Sequence, residues 1–377
     1  YVWLFNGTLA AMSEALTLPL QNRLSGTAAC IIHGFRANAV LYVLAAFVFL
    51  VAVAESIWIG FPFDIKMVTA FTAPVLTLLC GLILIGIVAE LVRLYWTGYE
   101  GSALGGLWLK ISDDYLAPQR ISNSIHAFLF MSLYMLGFAF IKKAIPLAVP
   151  FSWDVTFMEW DQVMHFGAQP YEWLAPLLNV PWVTFLINVN YNIWFFVMFT
   201  CWFWQGFGPK DTALRTHFLL GFTLTWFVGT SVCGTIFSSV GPGLYGRLMP
   251  EVQDPFVPLM DWLHEVAQVH TIFVIPTMDE LWKDYETGTG LINGISAMPS
   301  MHVGTSVLFA ILGFSAGKKW LGYLMSVFAF LIFIGSIHLG WHYAIDGYAG
   351  AAIAVACWWI SGKIVAWDRR KRGVAET

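Results

Sequence analysis

In the stretch HLGWHYAIDG, residues 338 to 347, His338, His342 and Asp346 recur at intervals of four among apolar, small and aromatic residues. On a helix, His342 and Asp346 are neighbours on one face. The carboxylate can accept one imidazole N–H, fix the tautomer, and leave the other nitrogen free and more basic, as a nucleophile and its orienting partner require. Forty residues upstream, SAMPSMHVG sets Pro299 and Ser300 just before His302 at the start of an apolar run. Free backbone N–H groups and the dipole at a helix start favour an anion such as phosphate, so the combination points to phosphoryl chemistry. Two histidines and an aspartate also suit zinc, but no further ligand cluster accompanies them and the Pro-Ser cradle would then be idle. His338, one turn before His342, either tunes it or makes an unrelated hydrogen bond, and the second is favoured.

These residues need a scaffold that brings them together. From His302 to the Lys318-Lys319 turn is 16 residues, about 24 Å of helix, and from Lys319 back to His342 is 23 residues, about 34 Å. Both histidines are therefore expected at one face of a membrane, because the intervening runs are apolar. Ionisable residues at membrane depth are costly and tend to mark function.

Of the 377 residues, 58% are hydrophobic and only 11% charged, and the mean hydropathy is +0.70, where soluble domains carry about 25% charged residues. The fold class is all-α, a polytopic membrane protein. Eight spans long enough to cross a bilayer are expected near 38–59, 68–96, 124–148, 180–205, 216–238, 299–316, 320–338 and 344–367. Residues 1–123 then form an N-terminal interfacial segment and two extra spans, with residues 1–35 either amphipathic along the interface or re-entrant. Residues 124–367 form a six-helix catalytic core, and 368–377 a basic tail.

With the N-terminus in the cytoplasm, Lys66, Lys142, Lys143, Arg247 and Lys283 fall outside and the other fourteen of nineteen basic residues inside, which favours cytoplasmic termini. Two Trp-rich segments, 149–179 and 239–298, face outward and are expected to hold short helices. No cleavable signal peptide is visible, and since the sequence opens on Tyr1, a few preceding residues are expected. The five cysteines are scattered without CxxC pairs and read as core residues. The net charge of −4 says nothing about nucleic acid, and no basic aromatic-interleaved patch suggests it, so no nucleic-acid partner is expected. His264 and His270, near Asp261 and Glu265, read as the polar face of an interfacial helix.

AMPSMHVG followed by GSIHLGWHYAIDGYAG resembles the second and third signature motifs of the type 2 phosphatidic acid phosphatase superfamily, particularly the branch that contains inositol phosphorylceramide synthases and bacterial relatives. The resemblance covers about residues 150 to 367. It implies His342 as nucleophile, Asp346 as its partner and His302 as general acid, working through a phosphohistidine without a cofactor. The implied substrate is a phospholipid or sphingolipid in the bilayer. The superfamily's first motif, a Lys followed by Arg-Pro, is absent in that form, and Arg247 in YGRLMP is the nearest phosphate contact; Ser300 and Ser336 are further candidates. Where phosphatases carry Ser-Arg, this chain has Gly335-Ser336, a loss shared by transferase-like relatives. The reading is thus a lipid phosphotransferase, with a lipid phosphatase acting on phosphatidic acid or a polyprenyl pyrophosphate, or a non-enzymatic subunit retaining the fold, as alternatives. A bacterial inner membrane with a periplasmic site is expected, and a membrane-protein partner could dock on the N-terminal helices.

Overall fold

Runs of twenty or more apolar residues leave a chain in hydrocarbon no choice but to pair its backbone internally, and helices do so within one segment. A computed structural model describes residues 25–62, 66–288 and 294–374. Among these the elements are helical, with no strand. Helix α1 covers residues 25–37; the remainder of the expected N-terminal segment, 1–24, lies outside the described residues. The long apolar helices are α2 (Ala39–Ile59), α3 (Lys66–Trp96), α5 (Pro118–Ala148), α8 (Pro181–Gly206), α9 (Ala213–Trp226, prolonged to Ile236), α15 (Lys319–His338) and α16 (Ala344–Lys371). Short α4 (Ala103–Lys110) links α3 to α5.

The eighth expected span is α14 (Met301–Ser315), only 15 residues, about 22 Å against a hydrocarbon core of about 30 Å. It survives at that length because protein encloses it: α15, α16, α9 and α8 all pack on it, and ten of its residues are buried. The close approach to α16 rests on glycine. A Cβ on Gly304 would lie 2.8 Å from the Gly350 carbonyl oxygen, and one on Gly350 3.4 Å from the Gly304 nitrogen. Small residues at such crossings let backbones touch where the bilayer offers no hydrophobic drive for helix association.

The two Trp-rich segments form short helices, as expected: α6 (Asp154–Met164) and α7 (Pro170–Leu178) in 149–179, α11 (Tyr245–Leu248), α12 (Val257–Val269) and α13 (Val274–Thr287) in 239–298. Helix α9 is not regular. Residues Phe227–Cys233 adopt a π turn before the last turn, α10 (Gly234–Ile236). This widening sets Gly234 against the chain that enters α14, with its Cβ position 2.6 Å from Ser296 Oγ.

The N-terminal helices are fastened by polar bonds at the end of the bundle remote from His302. Arg215, fully buried on α9, donates to Asn38 Oδ1 (2.8 Å) and to the Asn123 carbonyl (3.0 Å). His126 on α5 meets the Tyr42 hydroxyl and the Ile31 carbonyl, each at 2.8 Å. A buried guanidinium is tolerable only with such partners.

Candidate active site

Helix α15 ends at His338 and α16 begins at Ala344, so His342 sits in the turn between them. The Ser336 carbonyl accepts the Trp341 and His342 amides at 3.0 and 3.1 Å, which folds the turn back on α15. Asp346, in the first turn of α16, caps that helix: its Oδ2 accepts the Tyr343 amide at 3.0 Å and lies 3.3 Å from His342 Nδ1. One carboxylate oxygen therefore holds both the helix start and the imidazole. With Nδ1–H donated to Asp346, Nε2 is the free nitrogen. Asp346 Oδ1 is buried and has no hydrogen-bond partner among the described residues.

Two further carboxylates, both on α6, fix the same turn. Asp154 accepts the Val240 amide (3.0 and 3.1 Å), the Gly241 amide (2.9 Å) and the Tyr343 hydroxyl (2.9 Å). Asp161 accepts the Ala344 amide at 2.6 Å and the Ile345 amide at 2.9 Å, satisfying donors that every helix start leaves open. Burial pushes both carboxyls up to about 6, against the opposing pull of these amide bonds. The Gly243 amide also donates to the Gly340 carbonyl at 2.8 Å. The two glycines of GPG at 241–243 have no room for a Cβ: one on Gly241, whose φ is +89°, would lie 2.7 Å from the Trp341 carbonyl oxygen, and one on Gly243 2.9 Å from the Gly340 carbonyl oxygen.

His302 occupies the first turn of α14, and its ring lies 6.0 Å from that of His342, centroid to centroid. Aromatic side chains of α8 hold it, with ring centroids of Trp194 at 4.1 Å and Tyr191 at 4.5 Å. The α14 start is tied to α16 by the Ser300 amide, which donates to the Asp346 carbonyl at 2.9 Å. Both histidines open onto one cavity of about 560 Å³. Its far wall is apolar, made by side chains such as Phe128, Met131, Phe138, Met198, Phe199 and Trp202. Val75 and Leu76 of α3 also reach it.

A family model described as the PAP2 superfamily matches residues 155–360, more than half of the chain. The chain belongs to the PAP2 superfamily. No curated protein and no solved structure matches it. PAP2 proteins are typically phosphatases or phosphotransferases, and two histidines at one largely apolar cavity suit that class. The matched span holds α7 to α15, most of α6 and much of α16; α3 and α5, which share the cavity wall, precede it.

The structure treats the candidate PAP2 site residues unequally. His302 and His342 meet at the cavity with Asp346 behind. Ser300 is buried outside the cavity lining, its hydroxyl 3.4 Å from the Val303 amide as the α14 cap. The Ser336 hydroxyl donates to the Phe333 carbonyl at 2.7 Å, again away from the cavity. Arg247 is not brought to the cavity either; it pairs with Asp279 of α13. His338 is buried with Nε2 2.9 Å from Thr184 Oγ1, pointing to α8 rather than to His342. Among the described residues no group of three metal-binding side chains forms. Asp154 and Asp161 escaped the sequence reading; the one signal was their i, i+7 spacing, which sets both on one face of α6.

Proposed function

We propose that this PAP2 protein is a lipid phosphotransferase in which His342 carries the phosphoryl group. His342 Nε2 attacks phosphorus, forming an N–P bond as the P–O bond to the leaving alcohol breaks. His302 gives its proton to the leaving oxygen. An acceptor hydroxyl then hands its proton to His302 and attacks phosphorus, and the N–P bond breaks to free His342. Asp346 stabilises the charge that develops on the imidazole, in the manner of an orienting carboxylate. The observation that carries this reading is the single cavity onto which both histidines open, with an apolar wall that suits acyl chains and a lipid acceptor better than water.

We assign the donor to the phospholipids and the acceptor to a lipid hydroxyl, the chemistry of the inositol phosphorylceramide synthase branch. The site belongs on the non-cytoplasmic face, periplasmic in a bacterial inner membrane, because Lys318, Lys319 and Arg369 to Arg372 lie at the opposite ends of α14, α15 and α16. The test is incubation of purified protein with labelled phospholipids, with and without ceramide, diacylglycerol or inositol, beside His342→Ala. Transfer of the phospho-headgroup to an added acceptor in the wild type alone is the expected result. Free phosphate without transfer makes the protein a phosphatase. Equal behaviour of wild type and His342→Ala removes the phosphohistidine.

A further inference from the structure

Phosphoryl transfer needs positive charge against the non-bridging oxygens, and electrostatic stabilisation of this kind supplies much of the rate. Arg247, the cation that the sequence offered for this task, is engaged by Asp279 and stands outside the cavity. Gly335 and Ser336 bring no charge before the turn. Among the described residues that line the cavity with His302 and His342, the one lysine or arginine is Lys142.

Lys142 belongs to the last two turns of α5, outside the span matched to the PAP2 family. The chain that descends into α14 runs directly over it. A Cβ on Gly294 would lie 2.9 Å from the Lys142 carbonyl carbon and 3.3 Å from its Cγ. From Gly294 that chain continues along the cavity through Ser296 and Pro299 to His302. The next residue, Lys143, turns elsewhere, with Nζ 5.2 Å from the Phe61 ring centroid. Two adjacent lysines thus divide, one to the cavity and one to an aromatic face. No carboxylate stands among the described residues that line the cavity with Lys142. An ammonium beside an apolar wall at membrane depth is costly without a counter-charge, and an anionic ligand in the cavity provides one.

We propose that Lys142 binds the anionic phosphoryl oxygens of the lipid substrate, so that a helix preceding the family's matched span completes the phosphate subsite. A lysine ammonium suits this as a mobile point charge with three donors. The inference rests on the phosphohistidine reading above, and the experiment separates the two.

Orthovanadate, a phosphate mimic, is titrated against full-length protein in detergent with thermal stability as the readout, for wild type, His342→Ala, Lys142→Gln, Lys142→Arg and Lys143→Gln. A charge-assisted bond corresponds to a change in apparent affinity of about 10- to 100-fold. Lys142→Gln is expected to weaken vanadate binding by that factor, Lys142→Arg to stay within about threefold, and Lys143→Gln to match wild type. Lys142→Met, an unbranched apolar chain, replaces the Gln variant if that does not fold. Vanadate binding by Lys142→Gln or Lys142→Met equal to wild type, with His342→Ala impaired, overturns the inference and leaves the function standing. Wild type that binds no vanadate, or binding unchanged in His342→Ala, overturns both.

Discussion

The Asp161 carboxylate grips the amides of Ala344 and Ile345 at 2.6 and 2.9 Å across 183 and 184 residues of sequence. It places a negative group at the positive end of the α16 dipole and fixes the turn that presents His342. Asp161→Ala leaves the buried Ala344 amide and the half-buried Ile345 amide without acceptors, at about 1–3 kcal/mol for the buried one. Asp161→Asn keeps one acceptor and is the milder variant. Because the clamp acts through His342, both variants are expected to lower kcat more than they raise KM, by about 10- to 100-fold, as a displacement near 1 Å does. Steady-state kinetics on the transfer reaction check this. Wild-type kcat in Asp161→Ala would separate the clamp from the chemistry.

Burial pushes the Asp154 and Asp161 carboxyls from the ordinary aspartate value of 3.8 up to about 6. A carboxyl with a folded value above its unfolded one holds its proton more tightly when folded, so the stability it adds is present below about pH 4 and is lost as pH rises through 6. The shift corresponds to roughly 3 kcal/mol for each group. Relative to Asp154→Asn/Asp161→Asn, the wild type is therefore expected to lose thermal stability between pH 4 and 6 and to level off above. Melting curves in detergent across that range provide the measurement, and a constant gap from pH 4 to 7 contradicts the assignment.

His338 joins three helices through one hydroxyl. Its Nε2 lies 2.9 Å from Thr184 Oγ1, which also accepts the Trp262 indole N–H at 3.1 Å. His338→Ala removes the α15 partner while Thr184 retains the Leu178 carbonyl at 3.3 Å. The expected cost is about 1–2 kcal/mol of stability, with kcat within about threefold of wild type. A large fall in kcat at an unchanged melting temperature would move His338 into the reaction.

Local spacing made part of this site legible. The i, i+4 relation of His342 and Asp346 is a short-range property, and helix rise alone returned His302 to the same face. Long-range partnership was not legible. Asp154 and Asp161 sit among Trp and Phe residues that read as an interfacial belt, and their partners lie 86 to 189 residues away. Arg247 looked like a free phosphate contact because Asp279, 32 residues on, carries no pairing pattern. The span at 299–316 was visible from its apolar run, but its helix of 15 residues depends on being wrapped by four others. The π turn at Phe227–Cys233 goes with a close approach of Gly234 to the segment that enters α14, a long-range contact that no local propensity encodes.

The distance between His302 and His342 is set by the crossing of α14 and α16, and that crossing is set by hydrogen atoms at Gly304 and Gly350. A Cβ at Gly350 would meet the Ser300 carbonyl, with its carbon at 3.1 Å, at the level where the Ser300 amide binds the Asp346 carbonyl. The obstacle is backbone on both sides, so no side-chain rotation relieves it. Gly350→Ala must drive α14 away from α16 and widen the 6.0 Å separation of the two rings. Overpacking of this kind costs about 1–3 kcal/mol, and the displaced His302 is expected to lower kcat by about 100-fold. Gly86→Ala on α3 is the matched comparison, because nothing lies within 4 Å of its Cβ position. There the same methyl is expected to be neutral or to stabilise the helix by up to about 1 kcal/mol. Full activity in Gly350→Ala would mean that the two histidines do not need this separation.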